Sequence, residues 1–326
     1  MQVANDLCFP HLFNSSCRKP TSSWNETVLL HTILSIISLL TVALNLLVII
    51  SVSHFRKLHT PTNILLLSLA VSDFLVGLLL MPGEIIRNTA CWFFGDLLCS
   101  LYNYVSYIIT SASVGDMVLI SVDRYVAICD PLHYATLVTE RRVKACVCLC
   151  WLGSVLYSSV VVKADLTQPG QQHSCYGECV IVVDYILGTF DLLITFIAPV
   201  TIIIVLYMRV FVVAVSQARA MRSHITAVAL QLSVAFTRKS ELKAARTLGV
   251  LMVVFLICFC PYYCVSLVGD NLLTDSYASY VIFLFYFNSS LNPVIYALFY
   301  PWFRKAVKLI VTFQILQPGS REANIE

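Results

Sequence analysis

The sequence has few charged residues and no long polar segment. Asp, Glu, Lys and Arg make up only 12 % of its 326 residues, against roughly 25 % in soluble domains, and 59 % are apolar, with a mean hydropathy of +0.82. This composition excludes a water-soluble protein. Its small net charge of +3 gives no reason to expect a nucleic-acid partner.

Features that other classes of membrane protein need are also missing. We find no internal repeat, which disfavours a transporter or channel. No Cys and His cluster has metal-ligand spacing, and no nucleophile with a histidine base lies in the apolar runs, so neither a metal, a cofactor nor an enzyme is expected. A light receptor would need a lysine in the last apolar run, and 278–299 has none.

What the sequence does have is seven apolar runs, each long enough to cross roughly 30 Å of hydrocarbon as a helix. They predict an all-α fold, a seven-transmembrane helix bundle, with spans at about 28–53, 62–87, 97–128, 142–162, 182–212, 243–268 and 276–299. After the last span, apolar residues alternate with Arg304, Lys305 and Lys308, which predicts a short amphipathic helix on the inner membrane surface. The expected segments are therefore 1–27 outside the membrane, the bundle 28–300, the amphipathic helix 301–313 and a cytoplasmic tail 314–326.

The distribution of Lys and Arg predicts the orientation. Most of them fall in the loops on one side, and only Arg18, Lys19, Arg87 and Lys163 fall on the other, so the N-terminus is expected outside the cell. The start of the chain has no signal-peptide pattern, and the first span is expected to direct insertion. Asn14 and Asn25 lie in Asn-x-Ser/Thr sequons of the outer segment and are predicted to be glycosylated. The expected location is the plasma membrane, with several passes.

An acid within the membrane is costly, so each one is a candidate for function. Asp191 lies in the outer half of the fifth span, about two turns before Pro199, with Thr195 on the same face and no Lys or Arg at its depth. Because an unpaired buried carboxylate takes up a proton unless a cation arrives, Asp191 predicts a site for a ligand ammonium. Phe259, Tyr262 and Tyr263 share one face of the sixth span, and Tyr286 lies at similar depth in the seventh, which would add cation–π contacts.

Polar residues also occupy the middle of the bundle. Asp73 in the second span can meet Asn45, Ser113, Asn288 and Asn292. Two interpretations remain open for this set: hydrogen bonding that holds the helices together, or a bound Na⁺.

A charged pair marks the cytoplasmic end of the third span. Arg124 stands between Asp123 and Tyr125, and Glu241 opens the sixth span with the opposite charge. A contact between Arg124 and Glu241 that an intracellular partner could replace would form a switch. Pro82, Pro199, Pro261 and Pro293 interrupt four spans, and each is expected to give a kink or hinge.

These motifs together resemble the rhodopsin-like receptors. The matching residues are Asn45, 69–73, Cys99, Asp123-Arg124-Tyr125, Trp151, Pro199 with Tyr207, 255–261 and Asn292-Pro293-Val294-Ile295-Tyr296. The resemblance implies coupling to a heterotrimeric G protein, with Asp123, Arg124, Tyr125, Tyr207, Glu241, Asn292, Pro293 and Tyr296 in the switch. It also implies a disulfide from Cys99 to the loop before the fifth span, at Cys179.

Within that class, 288–293, 300–303 and 130–134 resemble the trace amine-associated receptors. That resemblance implies an amine ligand, a stimulatory G protein and a second disulfide from the N-terminal segment to Cys175, with Cys17 favoured over Cys8. One departure is Ser106, where amine receptors hold an aspartate; a fish-type branch resembles this chain in placing the acid on the fifth span, as at Asp191. The other is Phe259, where the family mostly has tryptophan, and its effect stays open.

The sequence thus predicts a plasma-membrane receptor for a small amine, of the trace or odorant type and without enzyme activity, in contact with membrane lipid and a G protein. Asp191 is the expected counter-ion, with Thr195, Phe259, Tyr262, Tyr263 and Tyr286 around it and Ser106, Tyr107 and Thr110 at the base of the site. The alternative is a rhodopsin-like receptor for a non-amine ligand in which Asp191 is structural; a transporter is the more distant alternative.

Overall fold

A computed structural model of the chain describes residues 7–12, 15–19, 24–89, 91–170, 174–181, 183–223, 249–265, 275–323 and 325. Within these residues the chain is an all-α bundle of seven spanning helices, six of them apolar over 18 residues or more. The spans run Trp24–His54, Pro61–Thr89 in three sections, Asp96–Cys129, Glu140–Val161, Tyr185–Ser223 in three sections, Gly249–Val265 and Asp275–Phe299. Short helices Pro131–Leu137 and Lys163–Thr167 flank the fourth span, and Pro301–Val311 follows the seventh.

Four of the predicted spans agree with the structure to within two residues at each end: the second, third, fourth and seventh. The first helix starts earlier, at Trp24, and includes Asn25 in its first turn. The fifth starts later, at Tyr185. It also continues past the end of its apolar run at Val213 and reaches Ser223, so the apolar run does not set the end of the helix. Both ends predicted for the sixth span, 243 and 268, lie outside the described residues.

The prolines are accommodated in two ways. In the second and fifth spans a wider π turn precedes the proline: Val76–Leu80 before Pro82, and Leu193–Ile197 before Pro199. Proline has no N–H to donate and its ring clashes with the carbonyl four residues back, so the backbone widens there. In the seventh span Pro293 lies inside one continuous helix.

The third span lies at the centre of the bundle and packs against the second, fourth and fifth. The largest hydrophobic cluster joins residues of the second, third, sixth and seventh spans, including Leu66, Met117, Phe255 and Tyr296. Side chains on the outside, such as Leu39, Leu152 and Val205, are apolar and more than half exposed, which fits a lipid-facing surface.

One end of the bundle, here called the disulfide end, is covered by the N-terminal segment. Cys99 is bonded to Cys179 and Cys17 to Cys175, as the family resemblance implied. A third bond, Cys8–Cys91, was not foreseen, since the sequence analysis gave Cys8 no partner other than Cys175. The segment is also held by backbone hydrogen bonds, from Cys17 N to Tyr176 O and from Tyr176 N to Ser15 O, at 2.9 and 2.7 Å.

The opposite end carries the amphipathic helix. It is Pro301–Val311, two residues shorter than predicted, because Phe313 adopts a left-handed backbone with φ of 57° after the cap residue Thr312. Phe303 and Ala306 are buried while Arg304 and Lys305 are exposed. Ile325 near the end of the chain is fully buried against Phe55, Leu58 and Ala306.

Candidate functional site

A cavity opens among the spans at the disulfide end. It holds about 760 Å³ of empty space, counting the space at its mouth, and Ile181, two residues after Cys179, forms part of its wall. Eight of the nine predicted ligand-site residues line it: Ser106, Tyr107, Thr110, Asp191, Thr195, Tyr262, Tyr263 and Tyr286. Four spans contribute them, so the fold brings together residues that lie far apart in the sequence.

Asp191 accepts a hydrogen bond from an uncharged side chain. The hydroxyl of Tyr157 in the fourth span donates to its Oδ1 at 2.5 Å, and the carboxylate is partly buried. None of the described Lys, Arg or His residues forms an ion pair with it. The fold therefore presents a carboxylate at the cavity without a cation of its own among the described residues. Asp184, one to two turns earlier, is exposed and does not line the cavity.

Thr195 and Tyr263 extend this part of the wall. The Thr195 hydroxyl donates to the backbone carbonyl of Asp191 at 2.7 Å and accepts from the Tyr263 hydroxyl at 3.3 Å. The Tyr263 ring stacks on Phe196, with centroids 4.3 Å apart and planes 14° apart. These contacts tie the sixth span to the fifth next to the acid.

Phe259 differs from the prediction, because it does not line the cavity. It is 3 % exposed and packs below the wall, 4.1 Å from both Phe255 and Phe285 between ring centroids. Phe285, which was not predicted, takes a place in the wall and contacts Tyr262. Phe259 thus contacts the site through Phe285. Its i, i+3 spacing to Tyr262 shows that the two residues share a helical face, but it does not show which of them reaches the cavity.

Elsewhere in the wall, Ser106 and Tyr286 join the third and seventh spans. Their hydroxyl oxygens are 3.3 Å apart. Ser106, at the position where the family resemblance implied an aspartate in amine receptors, takes part in a neutral hydrogen bond.

Two charged residues of the cavity were not predicted. Glu84 and Arg87 both line it, and the Arg87 guanidinium donates to Glu84 Oε1 at 2.5 Å. Tyr102 donates to the other carboxylate oxygen at 3.0 Å. Because Arg87 was counted among the cations of the loops, its pairing with Glu84 was not predicted. The signal that would have revealed it is the i, i+3 spacing of Glu84 and Arg87 on a helix that passes Pro82 and ends at Thr89.

The polar cluster in the middle of the bundle forms around Asp73. Asn292 Nδ2 donates to Asp73 Oδ2 at 2.7 Å, and Asn45 Nδ2 donates to the Ser289 carbonyl at 3.0 Å. Asp73 Oδ1 and the side-chain oxygens of Asn45, Asn288 and Asn292 are buried without a hydrogen-bond partner among the described residues. Ser113 is buried on the third span but takes no part in these hydrogen bonds. Oxygen-rich, unsatisfied sites of this kind fit a hard cation or water.

A second buried acid, Asp116, was missed. Its two oxygens lie 2.9 and 2.8 Å from the Ser68 hydroxyl, which also accepts from Trp151 Nε1 at 3.0 Å. Asp116 is fully buried in the middle of a predicted span, so its position alone was enough to single it out. It links the second, third and fourth spans.

At the opposite end, Arg124 is bound within its own motif. Its guanidinium donates to Asp123 Oδ2 and to the Thr62 hydroxyl, both at 2.5 Å, and Tyr134 donates to Asp123 Oδ1 at 2.9 Å. The predicted partner Glu241 lies outside the described residues. The hydroxyls of Tyr207 and Tyr296 are buried nearby without a hydrogen-bond partner among the described residues, and Tyr125 is half-buried. Pro293 is one residue from Asn292, so the Asp73 cluster adjoins the switch residues.

Comparison with known proteins identifies the family. A family model described as 7 transmembrane receptor (rhodopsin family) matches residues 44–296. The chain is 37% identical to Trace amine-associated receptor 13c of Danio rerio over 98% of its length and 96% of that protein's. It is 38% identical to Trace amine-associated receptor 8a of Rattus norvegicus, over 98% and 96%, and 33% identical to Trace amine-associated receptor 1 of Macaca mulatta, over 97% of each. The chain is thus a multi-pass membrane protein that belongs to the rhodopsin-like G-protein-coupled receptors and, within them, to the trace amine-associated receptors.

Proposed function

We propose that this receptor binds a small amine at the Asp191 cavity and signals through a stimulatory heterotrimeric G protein. The observation that carries the proposal is the Asp191 carboxylate itself, which lines an aromatic cavity, accepts a hydrogen bond from neutral Tyr157 and has no ion pair among the described residues. A ligand ammonium supplies the missing charge. Tyr262, Tyr263 and Tyr286 line the same space, and aromatic rings of this kind attract a cation.

The placement of the acid on the fifth span reverses the usual direction of an amine ligand. With Ser106 on the third span, the ammonium is held between the fourth, fifth and sixth spans, and the rest of the ligand extends toward Ser106 and Tyr286. This arrangement is the one that the resemblance to the fish-type branch implies.

The disulfide end faces the outside in this proposal. The protein lies in the plasma membrane, the N-terminal segment with Asn14 and Asn25 is extracellular, and Pro301–Val311 lies along the inner leaflet in contact with lipid. The segments 1–27, 28–300, 301–313 and 314–326 correspond to these compartments. The excess of Lys and Arg at the Arg124 end supports this orientation.

Activation would couple the two ends. An amine held by Asp191 draws the fifth and sixth spans together, because Thr195 and Tyr263 already join them beside the acid. Movement of the sixth span at its other end would release Arg124, whether from Asp123 or from Glu241, and open a cleft for the G protein. The oxygens around Asp73 would hold Na⁺ in the inactive state, with Ser113, Asn288 and Asn292 as the other ligands.

The test is a panel of amines applied to cells that express the wild type, Asp191→Asn or Asp184→Asn, with cyclic AMP as the readout and surface level measured in parallel. Asp184→Asn is the matched control, since it removes an exposed acid that immediately precedes the same helix. We expect Asp191→Asn to reduce amine potency by at least about 30-fold, because breaking a buried charge pair costs roughly 2 kcal/mol or more. Equal responses from Asp191→Asn and the wild type would contradict the proposal.

The Tyr157 hydrogen bond also favours a second candidate function, a receptor for a non-amine ligand in which Asp191 joins the fourth and fifth spans. In that case Asp191→Asn would lower thermal stability, and no member of the amine panel would act on the wild type.

A further inference from the structure

The cavity contains a second charged pole besides Asp191. Glu84 and Arg87 lie one turn apart on the second span, and the side chain of Glu84 is 1% exposed and that of Arg87 21%. Tyr102, fixed by a bond to the Leu80 carbonyl at 3.0 Å, also holds Glu84. An ion pair this enclosed is held in one geometry. Replacing either partner by water would cost free energy, because the other charge would stay buried without its counter-ion.

The two poles share one space. Asp191, Glu84 and Arg87 line the same cavity, together with Tyr262 and Tyr286. A ligand bound to Asp191 that extends past Tyr262 therefore meets the Glu84–Arg87 pair.

The charges of the cavity set the charge of the ligand that fits it. Two carboxylates, Asp191 and Glu84, and one guanidinium, Arg87, leave one net negative charge among the described lining residues. A ligand with one ammonium cancels it. A ligand with a second ammonium would bring that charge close to the guanidinium in a poorly screened site, where like charges repel strongly.

We propose that the Glu84–Arg87 pair is a specificity pole that selects amines with one positive charge and an uncharged, hydrogen-bonding far end, and rejects α,ω-diamines. The pole offers guanidinium N–H donors and a carboxylate acceptor to such an end. This inference rests on the proposed amine function and goes beyond it, since Asp191 alone does not distinguish one ammonium from two.

The experiment uses three probes with the same five-carbon chain: 1-aminopentane, 5-amino-1-pentanol and 1,5-diaminopentane. Each is titrated on the wild type and on Arg87→Met, with cyclic AMP and thermal stabilisation of the solubilised receptor as readouts. The wild type should prefer the two monoamines, with the amino alcohol ahead of aminopentane. Arg87→Met gives the cavity a second net negative charge, so the potency of the diamine relative to aminopentane should rise by about tenfold or more. An unchanged ratio would overturn the inference.

Glu84→Gln provides the opposite change and keeps the test decisive if Arg87→Met does not fold. It leaves Arg87 without its acid and brings the net charge of the lining to zero, so the potency of both monoamines should fall by about tenfold. Unchanged monoamine potency would overturn the inference. Ile86→Val, a small apolar change on the same helix at a residue outside the cavity lining, is the control for general disturbance of that helix.

The two proposals fail differently. Suppose that Asp191→Asn abolishes the amine responses, but the potency of the diamine relative to aminopentane is unchanged in the Arg87 and Glu84 variants. The proposed specificity pole is then wrong, and the amine site stands. If Asp191→Asn has no effect, the amine site itself is wrong.

Discussion

At the scale of single residues, the Asp191 carboxylate has two different surroundings. One oxygen accepts the Tyr157 hydrogen bond, and the acid also borders the cavity. A hydrogen bond from a neutral hydroxyl stabilises a carboxylate without cancelling its charge. Tyr157 therefore orients the acid and leaves its attraction for a cation in place, which a lysine or arginine in the same position would not do.

Replacing Tyr157 with phenylalanine tests this orienting role. The change removes a hydrogen bond to a charged group, worth about 1.5 to 3 kcal/mol, so amine potency should fall by about tenfold or more. Tyr104→Phe is the control, because the Tyr104 hydroxyl lies 2.9 Å from Ser159 Oγ of the fourth span, joins that span to the third, and lies outside the cavity. Equal effects of both changes on the cyclic AMP response would show that Tyr157 contributes only to packing.

Most of the cavity residues could be predicted because a buried acid and a row of aromatic rings are unusual within a membrane span. Glu84 and Arg87 could not be recognised as a cavity pair from charge counting, since Arg87 is so near a loop that it was assigned to the solvent. Phe259 was placed one layer too high, because helical spacing gives the face of a residue but not its depth. The contact from Tyr157 depends on the packing of the fourth span on the fifth, which no local pattern encodes.

At the scale of the elements, the π turn Leu193–Ile197 determines where Asp191 points. A π turn contains one residue more than an α turn, so the helix before it is rotated by about 100° relative to a regular helix that continues from Pro199. Asp191 lies just before this turn, and Thr195 lies within it. The wide turn is thus part of the site as well as a response to proline.

Deletion of Ile194 tests this dependence. The side chain of Ile194 is 54% exposed on the outer surface, so its loss removes little packing while the segment returns to regular helix. Rotation by about 100° moves Asp191 away from the cavity, and the amine response should be lost while the receptor still reaches the surface. Ile194→Ala keeps the residue count and should respond as the wild type does. A deletion variant with normal amine potency would disprove the role of the turn.

The spans themselves follow from hydropathy, because a membrane-spanning helix must be apolar over about 20 residues. Their ends depend on local backbone features that hydropathy does not contain. The fifth helix continues past its apolar run to Ser223, and Pro301–Val311 ends where Phe313 turns left-handed. Each π turn lies directly before a proline, yet Pro293 does not produce one, so proline alone does not predict where a helix widens.

At the scale of the whole molecule, the end of the bundle where the cavity opens is held together by a segment far from the cavity in sequence. The N-terminal residues are bonded both to the loop after the second span, through Cys8–Cys91, and to the loop before the fifth, through Cys17–Cys175. Gly177 permits the close approach: its φ is 105°, and a Cβ there would lie 2.9 Å from that of Cys8. The two bonds connect the parts of the bundle that carry Glu84–Arg87 and Asp191.

The Cys8–Cys91 bond is the one that the sequence did not predict, and it closes a loop of 83 residues. Cys8→Ser, Cys91→Ser and the double variant should each lower stability by about 2 to 5 kcal/mol and reduce surface level to the same extent, because all three lose one bond. Thermal melting of the solubilised receptor and surface labelling measure this. Cys146→Ser removes an exposed free thiol and should change neither. Additive losses in the double variant would mean that the two cysteines act independently, and the N-terminal segment would then be held by Cys17 alone.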